Sequence, residues 1–209
     1  MSLIETIDTQ LLLMINGLHC QIMDTIMITI TNKWFWVPFY LLLLAYVIRE
    51  KRTSLGALWC VLSIVLAVAM ADQIGAGTLR ESVARLRPAN LDNPISPLVH
   101  VVDNYRGGRY GFPSCHAANS FALAVFMWLT FRRKAVAWVM FPWALLQCYS
   151  RAYLGVHYPG DLLVGALLGS LCASCVYWAP RLLGPQLISR IEFIESLVRR
   201  GFFGNIAVK

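Results

Sequence analysis

The chain has 209 residues, 58% hydrophobic and 14% charged, with a mean hydropathy of +0.60. An ordinary soluble domain carries roughly 25% charged residues, so this composition excludes one and fits a single membrane-embedded domain. The net charge of +7 does not imply nucleic acid, because no basic, aromatic-rich polar surface is present; most basic residues are expected in cytoplasmic loops.

The N-terminal stretch TQLLLMINGLHCQIMDTIMITI is apolar but interrupted by Asn16, Gly17, His19, Gln21 and Asp24. It reads as two short interfacial helices with a break at Asn16-Gly17. A sixth span here would put several polar groups into lipid. The start lacks a basic region and a small-residue cleavage site, so no cleavable leader is expected. Five segments are apolar enough to cross: Trp34–Ile48, Ser54–Gly77, Ala117–Phe131, Val136–Ser150 and Pro159–Trp178. Several are short for a core that needs about 20 residues, so their flanks are expected to extend them. The sequence LISRIEFIESLVRRGFFG near the end has helical spacing of apolar and basic residues, as an amphipathic surface helix does. The expected fold is an all-α membrane bundle of about five to six transmembrane helices. Residues 1–185 form the membrane-embedded domain, and 186–209 an amphipathic cytoplasmic tail.

Six cysteines are present: Cys20, Cys60, Cys115, Cys148, Cys172 and Cys175. Most lie in apolar runs, where cysteine behaves as a small hydrophobe. Cys172 and Cys175 form a C-x-x-C without a second pair or a histidine cluster, which reads as helix packing and not as a redox or metal site.

Orientation follows from lysine and arginine. Arg49, Lys51 and Arg52 follow the first span, Arg132, Arg133 and Lys134 the third, and Arg181, Arg190, Arg199, Arg200 and Lys209 the fifth. These sides alternate correctly and are expected to be cytoplasmic, with the N-terminus outside. Seven basic residues fall on the other side: Lys33, Arg80, Arg85, Arg87, Arg106, Arg109 and Arg151. Topology disfavours them there, so another force must hold them. The planar, permanently charged guanidinium matches phosphate oxygens, and an arginine cluster at helix ends reads as an anion site.

Three outer-side stretches converge on this reading: RESVARLRP from Arg80 to Pro88, FPSCH from Phe112 to His116, and SRAYLGVHYPGD from Ser150 to Asp161. Arg80 and Arg87 are seven residues apart, two helical turns, and are expected on one helix face. Pro113, Ser114 and Pro159 stand where helices begin, and free N–H groups at such ends favour anions. Asp161 follows His157 by four residues, close enough to take a proton from one ring nitrogen and leave the other as a nucleophile. His116 is positioned to protonate a leaving oxygen. Arg80, Arg87 and Arg151 would neutralise a transferring phosphoryl group. No carboxylate cluster suggests a metal, so a metal-free phosphohistidine route without a cofactor fits best.

These stretches resemble the signature of the type 2 phosphatidic acid phosphatase family, K-x6-R-P, P-S-G-H and S-R-x5-H-x3-D. Here they read Arg80-x6-Arg87-Pro88, Pro113-Ser114-Cys115-His116, and Ser150-Arg151-x5-His157-x3-Asp161. The sequence departs from the pattern twice, with Arg80 for lysine and Cys115 for glycine. Cys115 does not fit a cysteine-phosphatase nucleophile, because C-x5-R would require arginine where Phe121 stands. The resemblance implies that His157 attacks phosphorus, Asp161 orients it, and His116 serves as acid and then as base. It assigns the phosphate to Arg80, Arg87, Arg151 and Ser114, with the amides of Cys115 and His116. It also implies a phosphorylated membrane lipid as substrate, with the active site on the periplasmic face of a bacterial inner membrane and no nucleic acid or metal as partner.

The loop from Ala89 to Gly111 is expected to cover the site, with His100, Arg106 and Arg109 as head-group candidates and Gly107-Gly108 giving it freedom. Lipid A is the favoured substrate because extra arginines suit a multiply charged head group; undecaprenyl diphosphate and phosphatidylglycerol phosphate are the alternatives. A non-catalytic lipid-binding or transport protein would need the arginines but not the His157–Asp161 pair. A haloperoxidase sharing the same anion site is disfavoured by the membrane composition.

Overall fold

The computed structural model describes residues 3–182, with Gly184 and Ser196. Every regular element among the described residues is a helix, and one isolated β-bridge joins Leu86 and Tyr110. In chain order the helices are α1 (Leu3–Asn16), α2 (Gln21–Thr31), α3 (Val37–Lys51), α4 (Ser54–Asp72), α5 (Arg80–Val83), α6 (Cys115–Phe131), α7 (Lys134–Tyr153) and α8 (Pro159–Leu182). A π-helical stretch, Gln73–Leu79, joins α4 to α5 without a break. Apart from Ser196, the expected amphipathic tail lies outside the described residues.

Among the described residues, two helices are long and apolar enough to cross a membrane: Ser54–Val83, at 30 residues, and Pro159–Pro180, at 22. α1 and α2 pass the same test only as a pair, bent by 113°. The bend falls beside Asn16-Gly17 and has a physical anchor. Asn16 is buried, and its amide donates to the carbonyls of Tyr153 at 2.7 Å and His100 at 2.9 Å while accepting from the His100 N–H at 2.8 Å. With three hydrogen bonds, this side-chain amide pins the break to the end of α7 and to the loop at His100. α6 is apolar but has only 17 residues. α7 carries Lys134 and Arg151 at its two ends.

α6 and α8 form the tightest pair in the bundle. A Cβ added at Gly169 would lie 1.9 Å from the Ala118 carbonyl oxygen, and one at Gly165 would lie 2.4 Å from that of Ser114. The facing residues Ala117, Ala118 and Ala122 are fully buried. Without a hydrophobic drive between helices in lipid, small residues four apart let two backbones meet closely. This contact places the start of α6 against the start of α8. Ser114 caps α6, accepting from the Ala117 N–H, and its own N–H donates to the Asp161 carbonyl at 3.0 Å.

One local expectation is overturned. Arg80 and Arg87 do not share a helix face, because α5 stops at Val83. Ala84 takes left-handed torsions, with φ +48°, and its N–H closes the last turn onto the Arg80 carbonyl. Arg85 to Arg87 then run extended against Arg109 to Gly111: the Arg87 N–H donates to the Arg109 carbonyl, and the Gly111 N–H to that of Arg85.

Candidate active site

The three sequence stretches meet at one end of the bundle. Arg80 leaves the π-helical segment and brings Nη2 within 2.7 Å of Cys115 Sγ. A π turn widens the helix by one residue and so re-aims the side chains that follow it. Gly75 lies against the same sulfur: a Cβ there would be in contact with Cys115 Sγ, at 3.4 Å. The sulfur that replaces a hydrogen at position 115 therefore points at Arg80 and Gly75.

Arg87 is held by its own loop. Its Nε donates to the Tyr110 carbonyl at 3.0 Å and its Nη1 to the Val156 carbonyl at 3.2 Å. Nη1 also lies 2.8 Å from His157 Nε2. Gly107, at φ +68°, and Gly111 press against this guanidinium stem, where added Cβ atoms would come within 3.1 Å of it. The Gly107-Gly108 pair thus serves close approach at Gly107 as well as loop freedom.

His157 is 1% exposed. Arginine only donates, so Nε2 must accept from Arg87, and the proton of a neutral ring sits on Nδ1. Burial, followed by the charges of Arg87, Arg151 and Arg80, holds this imidazole well below its ordinary range. The ring is therefore neutral at pH 7, with an Nε2 lone pair facing the arginines. Nδ1 has no hydrogen-bond partner and lies 3.6 Å from Asp161 Oδ2. The expected His157–Asp161 hydrogen bond is thus open at 3.6 Å, although the two side chains are neighbours in space as the spacing suggested. Asp161 is instead engaged by the Tyr158 N–H at 3.0 Å and by Arg85 Nη1 at 2.8 Å.

Arg151 is 3% exposed and reaches from α7 to three groups. Nη1 donates to the hydroxyls of Thr31 and Tyr105, each at 2.6 Å, and Nη2 lies 2.7 Å from His116 Nδ1 and also touches Nε2. His116 itself borders a cavity of about 330 Å³ that runs between α3, α4, α6 and α7. Ser114 is fully buried as the α6 cap.

Charge separates this pocket from its surroundings. Among the described residues, Arg80, Arg87 and Arg151 have no carboxylate salt-bridge partner. Arg80 Nε and Arg151 Nε are buried with no hydrogen-bond partner. Burial and the nearby charges of Arg80 and Arg151 push Arg87 down to about 10, a large displacement for a guanidinium. Three converging cations with unused donors have the charge and geometry that suit a multiply charged anion.

Two functional neighbours were not singled out from the sequence as site residues. Arg85 Nη2 pairs with Asp8 of α1 at 2.7 Å, and Asp8 also accepts from the Gly160 N–H at 2.7 Å. The N-terminal helix is thereby tied to the first turn of α8, beside Asp161. An acidic residue inside an apolar helix is a signal for such a role. Of the loop candidates, Arg106 staples the loop through the Ala89 carbonyl at 2.7 Å, and His100 pairs with Asp24 at 2.9 Å and stacks on His19. Arg109 remains exposed, 3.7 Å from an equally exposed Asp92. Among the described residues, no group of three or more His, Cys, Asp or Glu stands where it could hold a metal ion.

The family model described as PAP2 superfamily matches residues 56–184. The chain is 44% identical over 186 residues to the lipid A 4'-phosphatase of Bacteroides thetaiotaomicron, covering 89% of this chain and 82% of that one. It is 33% identical over 177 residues to the lipid A 4'-phosphatase of Porphyromonas gingivalis, covering 85% and 74%. Its fold superimposes on the crystal structure of Aquifex aeolicus LpxE with a TM-score of 0.61 and 25% identity, covering 80% of this chain and 93% of that one.

Proposed function

The chain belongs to the PAP2 superfamily, and from that premise we propose that it is a membrane phosphatase releasing phosphate from a lipid head group through a phosphohistidine on His157. The observation that carries this reading is the trio Arg80, Arg87 and Arg151, none with a carboxylate partner among the described residues, gathered near the neutral His157, whose Nε2 meets Arg87. The best-supported substrate is the 4'-phosphate of lipid A, the named substrate of the two curated relatives. The active-site end faces the periplasm, the chain sits in a bacterial inner membrane, and its helices, with flanking residues, cross about five to six times.

Substrate oxygens take over the Arg87 hydrogen bond and free the His157 lone pair. The bound phosphate draws Arg151 off the His116 ring, which takes up a proton; His157 Nε2 then attacks phosphorus, the bond to the leaving oxygen breaks, and His116 gives that oxygen the proton. The ring then carries a positive charge, which brings its Nδ1–H onto Asp161. The now neutral His116 takes a proton from water, the hydroxide attacks phosphorus, and the P–Nε2 bond breaks. The arginines stabilise the charge on the phosphoryl oxygens in both transition states.

Phosphate release by the detergent-purified protein from lipid A, undecaprenyl diphosphate and phosphatidylglycerol phosphate, beside His157→Ala, tests the reading. Release from lipid A that is lost in the variant and indifferent to EDTA is the expected outcome. Ligand retention without turnover in the unaltered protein would favour a lipid-binding role instead.

A further inference from the structure

Asp8 is out of place in an apolar helix. It lies on the buried stripe of α1 with Leu12 and Asn16, at four-residue spacing, and is 8% exposed. A buried carboxylate costs stability unless it is paired and hydrogen-bonded. Replacing a buried ion pair by packed apolar groups is often neutral or stabilising, so docking α1 does not by itself call for Asp8. What Asp8 reaches is the informative part. Oδ1 accepts from the Gly160 N–H and Oδ2 from Arg85 Nη2, each at 2.7 Å. Arg85 Nη1 donates to Asp161 Oδ1 at 2.8 Å. One planar guanidinium, stacked 3.8 Å above the Tyr158 ring, thus bridges two carboxylates. The other Asp161 oxygen, Oδ2, takes the Tyr158 N–H and stands 3.6 Å from His157 Nδ1. The start of α8 is shaped for the contact: a Cβ at Gly160 would fall 2.8 Å from Asp8 Oδ2, so a larger residue there would displace the carboxylate.

The charge balance gives this contact a role. If Arg85 faced Asp161 alone, the two charges would cancel, and Asp161 would have little left to offer a cationic imidazole. Asp8 draws on the same guanidinium, so two carboxylates share one cation and the cluster keeps negative charge in excess. On its other side the His157 ring meets positive charge, from Arg87, Arg151 and Arg80. A ring that becomes cationic on taking the phosphoryl group therefore depends on that excess to offset the arginines.

We propose that Asp8 is a positioning residue for phosphoryl transfer: through Arg85 and the Gly160 N–H it holds Asp161 beside His157 with the Asp161 charge only partly neutralised. The inference rests on the phosphohistidine reading of His157. It makes the N-terminal helix, which lies outside the three motif stretches, part of the machinery that stabilises the intermediate.

The test uses Asp8→Asn, which removes the charge at nearly constant size, and Gly160→Ala, which keeps every charge and displaces the Asp8 carboxylate. For each, kcat and KM for phosphate release from lipid A are measured in detergent, with the inhibition constant of inorganic phosphate and the thermal midpoint. Asp8→Asn is expected to lower kcat about tenfold. KM and the inhibition constant should hold or fall, because a negative charge leaves the neighbourhood of an anion site. Gly160→Ala is expected to lower kcat about threefold with the same unchanged binding. A residue that only packs α1 gives another pattern. The thermal midpoint falls, and either kcat of the folded protein is unchanged or kcat and phosphate affinity are lost together; both results overturn the inference. If Asp8→Asn does not fold, Gly160→Ala decides by the same criteria. Failure of the phosphatase reading looks different: the unaltered protein releases no phosphate, and the role of Asp8 falls with it. Turnover by the unaltered protein, with kcat unchanged in the variants, removes the role of Asp8 alone.

Discussion

Arg85 and Arg87 are two residues apart in one extended segment, yet they belong to opposite electrostatic environments. Arg85 lies between two carboxylates, Asp8 at 2.7 Å and Asp161 at 2.8 Å, and stacks 3.8 Å above the Tyr158 ring. Burial pulls its charge state down, but Asp161 and Asp8 outweigh that and raise it overall. Arg87 has neutral partners only, with Arg80 and Arg151 nearby, and is pushed down. The same residue type is a clamp between carboxylates in one case and a cation without a countercharge in the other. The carboxylates decide which is which: Arg85 reaches Asp8 and Asp161, and Arg87 reaches none.

This contrast can be broken in order of expected effect. His157→Ala should remove at least about 10⁴-fold of kcat, because the nucleophile has no substitute; residual turnover within tenfold of the parent would rule out a phosphohistidine. Arg87→Met should lower kcat/KM by about 10²–10³-fold while the thermal midpoint changes little, since a repelled cation is lost along with its hydrogen bonds. Arg85→Met should do the reverse in kind. It leaves two partly or fully buried carboxylates uncompensated, and the loss of stability should be about 3–5 kcal/mol, read by denaturation in detergent. Equal stability losses in the two arginine variants would erase the distinction.

A pH series sharpens the same comparison. His157 titrates below its ordinary range in the folded protein, so on acidification the unfolded chain takes up this proton first, near pH 6.5. Stability of the ligand-free protein is therefore intact above about pH 6.5 and declines as the pH falls below it, by up to about 1.4 kcal/mol per unit for this one group. The decline should be shallower in His157→Gln, and inorganic phosphate should offset it by bringing negative charge to the ring. A slope unaffected by the substitution would assign the proton uptake elsewhere. The smallest effect is expected for Cys115→Gly. The sulfur contacts Arg80 from the side and supplies no group to the chemistry, so kcat/KM should stay within about threefold of the parent.

The site motifs were legible because chemistry fixes residue type and spacing together: His116, His157, Asp161, Arg87 and Arg151 all fall at one end of the bundle as expected. The helical fold and the break at Asn16-Gly17 were legible from apolar runs and polar interruptions. Pairings across long stretches of chain were not. Asp8 meets Arg85 across 77 positions and Gly160 across 152, and no local pattern encodes either. The expectation of a shared helix face for Arg80 and Arg87 failed because seven-residue spacing does not reveal the left-handed stop at Ala84. The loop candidates His100 and Arg106 were read by charge alone, and the structure shows both engaged in holding the loop and the N-terminal bend.

The most direct measurement is rapid-quench mass spectrometry of the protein mixed with lipid A. A transient, acid-labile and base-stable phosphoryl group is expected on His157, absent in His157→Ala and forming and decaying within one turnover. Phosphate release at the full rate with no phosphoenzyme, or with the label on another residue, would contradict it.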